Sequence, residues 1–194
     1  MKKINILAIM LLTATLTFAQ TKWTFDKSHS KIGFNVTHLI IAEVDGYFKN
    51  FDVTVETSGD DFSNAQIQFS ADTKSIFTDN ENRDNHLKSD DFFNAEKFPK
   101  LTFKSNSFTK VSGNKYKLIG DLTIRDVTKE VTLDVKFNGT VKDPWGNTKA
   151  GFKITGEINR FDYNLKWNTL MEAGGAVVSK EVTFDINVEL QKQK

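Results

Sequence analysis

The 194 residues carry 26 Lys and Arg against 25 Asp and Glu, with 17 Phe, 2 Pro and no Cys. Near-neutral charge excludes nucleic acid and an anionic membrane surface as the main partner, and the missing thiols exclude disulfides, thiolate catalysis and lipoprotein acylation. A chain this long can bury a sizeable core without crosslinks, and all-β folds of this length commonly form one domain.

Lys2 and Lys3 precede an apolar stretch from Ile4 to Phe18, interrupted by Asn5 and several Thr, and Thr17-Phe18-Ala19 stand before Gln20. A basic start, a short apolar region and small residues at the cut site match a secretory signal, whereas a membrane anchor needs about 20 uninterrupted apolar residues. The sequence predicts a leader over 1–19, one domain over 20–194, and a periplasmic or secreted mature protein. Without Lys2 and Lys3 the basic count falls from 26 to 24, against 25 acidic side chains, a net charge of −1.

From Ile32 onward apolar residues recur with period two, the signature of strands whose successive side chains point to opposite faces. The runs are Ile32 to Val36, Val44 to Phe48, Ile67 to Ala71, Leu101 to Phe103, Tyr116 to Ile124, Val131 to Phe137, Ala150 to Ile158, and Val182 to Leu190. The opposite parity is polar, as in Glu130, Thr132, Asp134 and Lys136. A membrane-spanning barrel requires the reverse pattern. The expected fold is all-β, eight antiparallel strands closed into a barrel that is apolar inside and polar outside. Turn residues separate the runs at Ser58-Gly59-Asp60-Asp61, Ser112-Gly113-Asn114 and Asp143-Pro144-Trp145-Gly146-Asn147.

Phe34, Phe48, Phe69, Phe103, Leu122, Ile154 and Phe184 share the inward parity and form the candidate lumen lining. Gly46, Gly120 and Gly156 occupy inward positions too. Two readings stand for them: missing side chains that open a cavity, or bulges and bends in a packed barrel.

Alternation stops between Asp72 and Pro99, a long connection for a barrel. A short helical insertion is expected near residues 80–94, with Ser89 as an N-cap and Asp90 and Asp91 in a first helical turn. Arg83 and His86, three apart, share a helical face and can hold a phosphate, carboxylate or carbonyl oxygen. The competing reading pairs Arg83 with Asp84, Asp90 or Asp91 to pin a lid.

The three histidines, His29, His38 and His86, lack the spacing of a helical zinc site, and His29 and Ser30 point to opposite faces if both lie in a strand. Asp26 and His29 can meet at the strand start. No catalytic residue, metal or cofactor is expected. Two alternatives remain: an exported hydrolase using His29 or His86, and a ligand-free structural or stress-protective barrel.

Taken together, Asp26-Lys27-Ser28-His29-Ser30, His38-Leu39, Gly46 to Phe51, Arg83-Asp84-Asn85-His86-Leu87-Lys88-Ser89-Asp90-Asp91-Phe92, Phe98 to Phe103, Gly120 to Ile124 and Asp143 to Gly146 resemble the YceI-like family from about Trp23 to Leu190. The resemblance implies an elongated lipocalin-like barrel, exported to the periplasm, that holds a long isoprenoid chain or another amphiphile such as a fatty amide and has no catalytic residues. It implies a head-group or lid role for Arg83 and His86, with no nucleic-acid partner and no integral span after leader removal, and it leaves a homodimer open. A sensor or delivery module would use the same cavity and add an exposed apolar patch at its mouth. The chain departs from the family pattern at Asp126, where glycine is common, and at Tyr163-Asn164, where Phe-Gly is frequent, with Trp167 following.

Overall fold

The computed structural model describes residues 20–59, 62–172 and 174–193, so the expected leader lies outside the described residues. The strand segments are β1 (Thr21–Phe25), β2 (Lys31–His38), β3 (Ala42–Phe48), β4 (Phe51–Thr57), β5 (Gln66–Asp72), β6 (Ile76–Phe77), β7 (Lys100–Ser112), β8 (Lys115–Ile124), β9 (Val127–Lys142), β10 (Thr148–Asn159) and β11 (Glu181–Lys192), with one helix, α1 (Glu81–Lys88). The segments β1, β4, β5, β7, β8, β9, β10 and β11 pair in that order, and β1 returns to β11 through Trp23↔Lys192 and Phe25↔Leu190. The sheet closes as an eight-stranded antiparallel barrel, as the alternation predicts.

Eleven segments make eight strands because three neighbouring strands kink at one level and continue as β2, β3 and β6. Short polar side chains satisfy the backbone where each ladder breaks. Asp26 accepts from Ser28 N at 3.0 Å and caps a 3₁₀ turn over Lys27–His29. Ser30 Oγ then accepts from Glu189 N at 3.0 Å, replacing a strand partner. Next door, Ser75 accepts from Lys49 N at 3.1 Å through its carbonyl and from Asn50 N at 3.0 Å through its hydroxyl.

The kinks divide the interior. Toward the β7–β8 and β9–β10 hairpins, Trp23, Phe62, Phe108, Tyr116, Phe137 and Phe152 interdigitate, with centroids of Trp23 and Phe62, Phe62 and Phe152, and Phe108 and Tyr116 all 4.9 Å apart. These rings fill one end of the barrel. The other end, which carries α1, the β2–β3 hairpin and the segment from Asn159 to Lys180, is hollow.

The inward glycines follow neither simple reading. None of the three adopts a positive φ. A Cβ on Gly46 would overlap the Phe34 ring, one on Gly120 the Phe103 ring, and one on Gly156 the Leu133 side chain. Each glycine therefore lets a neighbour's side chain lie down along the wall. A bulge does accompany Gly120, since Asn106 is the extra residue of β7 between Ser105↔Gly120 and Ser107↔Ile119.

The helix corresponds to the expected insertion, but its ends differ from expectation. Asn80 is the N-cap, accepting from Arg83 N at 3.0 Å, and Ser89 closes the C-terminus, donating its hydroxyl to His86 O at 2.7 Å. Ser89 thus caps the end of one helix, not the beginning of another. The residues after it form turns, with Phe92 N and Asn94 N both donating to Ser89 O.

Candidate functional site

A cavity of about 500 Å³ occupies the hollow half. Phe34, Phe48, Phe69, Phe103, Leu122, Ile154 and Phe184 all line it. Phe34 and Phe184 face each other directly across the β2–β11 pair. The volume falls within the roughly 300–1,000 Å³ of small-molecule sites.

Polar groups gather at the open end. The face of α1 made by Asn82, Arg83, His86 and Leu87 turns toward the cavity, as residues spaced by four on a helix do. His86 contacts Phe92 at 5.1 Å and Trp167 at 5.2 Å between ring centroids, both edge-on, and Phe92 lies 5.6 Å from Trp167. The three rings form the rim. His86 Nε2 is 2.8 Å from Asp91 Oδ2, which orients the imidazole from the solvent side.

Arg83 does not pair with Asp84, Asp90 or Asp91. Its Nε donates to Thr78 Oγ1 at 2.8 Å and its Nη2 to Thr78 O at 2.6 Å, while Asp84 accepts from Thr78 N at 2.8 Å and Thr78 Oγ1 at 2.6 Å. Thr78 is the hub that fixes the helix to β6. The geometry leaves Arg83 Nη1 outside these hydrogen bonds.

Several lining residues have weak sequence signals. His38 lies one step further along the inward parity of Ile32, Phe34 and Val36, so the alternation could have found it. Phe92, Leu165, Trp167, Val177 and Val178 come from irregular segments where no period exists to read. Arg160, 2 % exposed, organises the last of these. Its guanidinium donates to the carbonyls of Ser179 at 2.8 Å, Leu165 at 2.7 Å, Trp167 at 2.7 Å and Val178 at 3.2 Å, holding Trp167 at the rim.

Asp26 and His29 do meet, at 3.2 Å, but outside the cavity lining and with the imidazole 65 % exposed. Asp26, His29 and Glu189 are close enough to share a cation. Lys149 already supplies one, its Nζ 2.8 Å from Asp26 and 3.2 Å from Glu189. The Lys149 hydrogen bond holds the Asp26 carboxyl down at about 2. The His29 imidazole meets the carboxylates of Asp26 and Glu189, and the His86 imidazole meets that of Asp91, acceptors that orient a ring and are not the hydroxyl of a nucleophile and base pair.

A YceI-like domain model matches residues 23–190. The chain belongs to the YceI-like family. The UPF0312 protein SA2479 of Staphylococcus aureus (strain N315) is 43% identical over 170 residues, covering 87% of this chain and 96% of that protein. The Campylobacter jejuni YCEI protein superposes with a TM-score of 0.71 at 27% identity, covering 98% of this chain and 100% of that one. A polyisoprenoid binding domain from Saccharophagus degradans shares the fold, with a TM-score of 0.62 at 16% identity over 88% of this chain and 98% of that one.

The two departures from the YceI-like pattern have local explanations. At the β8–β9 turn the left-handed backbone falls on Arg125 (φ 55), not on Asp126. Arg125 donates to Asp90 O at 3.0 Å, Phe92 O at 2.9 Å and Asn164 O at 3.1 Å, tying the rim segments together. Asn164 takes the left-handed position (φ 61) after the 3₁₀ turn Arg160–Tyr163. Asparagine tolerates that conformation, so this turn forms without a glycine.

Proposed function

We propose that this YceI-like chain is an exported carrier, its leader being residues 1–19, that holds a long isoprenoid chain or similar amphiphile without chemistry or cofactor. The tail occupies the lumen among Phe34, Phe48, Phe69, Phe103, Leu122, Ile154 and Phe184. The polar head lies at the rim against Arg83 and His86. The observation that carries this reading is the cavity itself: about 500 Å³, apolar in its depth, with a guanidinium and an imidazole at its open end. That the Saccharophagus degradans domain of the same fold is described as polyisoprenoid binding supports the ligand class.

Magnitudes set the chain length. Each buried methylene contributes about 0.8 kcal/mol, so fifteen carbons give about 12 kcal/mol. Ordering and association cost at least about 4 kcal/mol, which leaves affinity near the micromolar range. Ten carbons leave only about 4 kcal/mol, near millimolar.

The test is titration of the purified protein with prenyl alcohols of increasing length. Affinity should rise about fourfold per added carbon until the lumen is full. A flat response, or no binding of any length, would assign the barrel to a ligand-free role. Arg83→Ala combined with His86→Ala should weaken alcohols and phosphates more than head-free hydrocarbons, by roughly tenfold for two lost polar contacts. Equal losses for both classes would confine the pair to closing the lid.

A further inference from the structure

Seven large hydrophobic side chains are exposed among the described residues, and four of them, Leu39, Ile40, Ile41 and Leu170, lie at the open end. Three form the tip of the β2–β3 hairpin, with Ile41 87 % exposed. The tip leans on the neighbouring loop: Leu39 N donates to Val177 O at 2.9 Å, and the Ile40 side chain packs over Gly175. His38 bridges to Val178, and His38, Val177 and Val178 line the cavity. The exposed patch is thus the outward continuation of the lumen wall.

The backbone at this tip is unfavourable for the residues it carries. Leu39 has φ 51 and Ile40 φ 68. A β-branched side chain in the left-handed region is a conformational outlier where Asn or Gly is the ordinary choice. Ile40 remains 68 % exposed, so its packing over Gly175 buries only part of the side chain. Strain of this kind marks positions held for another purpose.

We infer that the hairpin tip seats the barrel mouth on a zwitterionic lipid bilayer, with Ile40, Ile41 and Leu170 entering the boundary between head groups and acyl chains. The inference rests on the carrier reading and adds the route of loading: a water-insoluble tail passes from bilayer to lumen along one apolar wall. A water-insoluble tail is drawn from a bilayer, and the patch runs directly into the lumen wall through His38, Val177 and Val178, which favours a lipid surface over a second copy or a protein partner. A few aliphatic side chains suffice for reversible contact with a membrane. The near balance of 26 basic and 25 acidic residues gives no reason to require anionic lipid.

The chain has no cysteine, so single probes can be placed without interference. Ile41→Cys at the tip and Trp145→Cys at the closed end, each labelled with an environment-sensitive fluorophore, are mixed with phosphatidylcholine vesicles. Any contact made by residues 1–19 is common to both. The expected result is a blue shift at position 41, quenched by acyl-chain-brominated lipid, with position 145 unchanged. No shift at 41 at any lipid concentration overturns the inference. So does a shift that appears with rising protein concentration without vesicles, which would assign the face to a second copy.

Ile40→Asn relieves the strained turn and should raise the melting temperature by a few degrees while lowering vesicle binding several-fold. Unchanged vesicle binding by this variant also overturns the inference. Transfer of a fluorescent prenyl alcohol from the same vesicles separates the two readings. A tip that enters the bilayer without any uptake retires the carrier reading and leaves the docking surface standing.

Discussion

Two charged residues illustrate what single side chains do in this barrel. Arg160 is buried, and its guanidinium donates to four backbone carbonyls from a segment with no regular strand or helix of its own. A guanidinium carries more N–H donors than an ammonium and fixes them in a planar fork, so the loop carrying Trp167 is held by one side chain. Asp26 instead faces Lys149, which lowers its pKa to about 2 and raises that of Lys149. The ordinary Asp value is about 3.9. Because the folded value lies below it, the pair's stabilisation is present above about pH 4 and is lost as pH falls through about 2. The urea midpoint should drop more between about pH 5 and about pH 2 for the native protein than for Lys149→Met. Equal drops would show that the pair contributes nothing to the acid limb.

At the scale of elements, alternation was legible because period two is a local property of each strand. It placed Phe34, Phe48, Phe69, Phe103, Leu122, Ile154 and Phe184 on one parity, and these side chains line the cavity. The kinks were not legible: the hydroxyl that repairs β1 and β2 belongs to Ser30 and its partner is Glu189, 159 positions away. Ser89 misled for a related reason. A Ser-Asp-Asp run reads as a helix start, yet a serine hydroxyl can equally donate to the last carbonyls of a preceding helix, as it does to His86 O. The glycines could be placed on the inward face, but their purpose depended on which neighbouring side chain would lie over them. This gives a prediction for the β2–β3 pair. Gly46→Val should lift the Phe34 ring off the wall and into the lumen, lowering affinity for a long prenyl alcohol roughly tenfold, the equivalent of about two buried methylenes. Unchanged affinity in calorimetric titration would mean that the ring finds room elsewhere.

For the molecule as a whole, one sheet serves two tasks divided along its axis. The end packed by Phe62 (3 % exposed) and Phe108 (2 % exposed) supplies stability, and the end lined by Phe69 and Phe103 supplies space. Truncating a packed ring loses contacts on every side, whereas a ring already facing a void has fewer to lose. Phe108→Ala should therefore cost about 3–5 kcal/mol in urea unfolding, and its effect on prenyl alcohol affinity should be small. Phe69→Ala should cost distinctly less stability and more affinity. The opposite pattern would place the binding volume at the wrong end. Seventeen Phe in the sequence could not reveal this division, since both halves use the same residue on the same parity.

The ring cluster at the closed end has a consequence for the order of events. With that exit sealed, an amphiphile held as proposed would enter tail first and leave head first through a single door. Every release would then begin with the polar group, so the receiver of the cargo would meet that group first, although nearly all the holding energy would reside in the part it never sees.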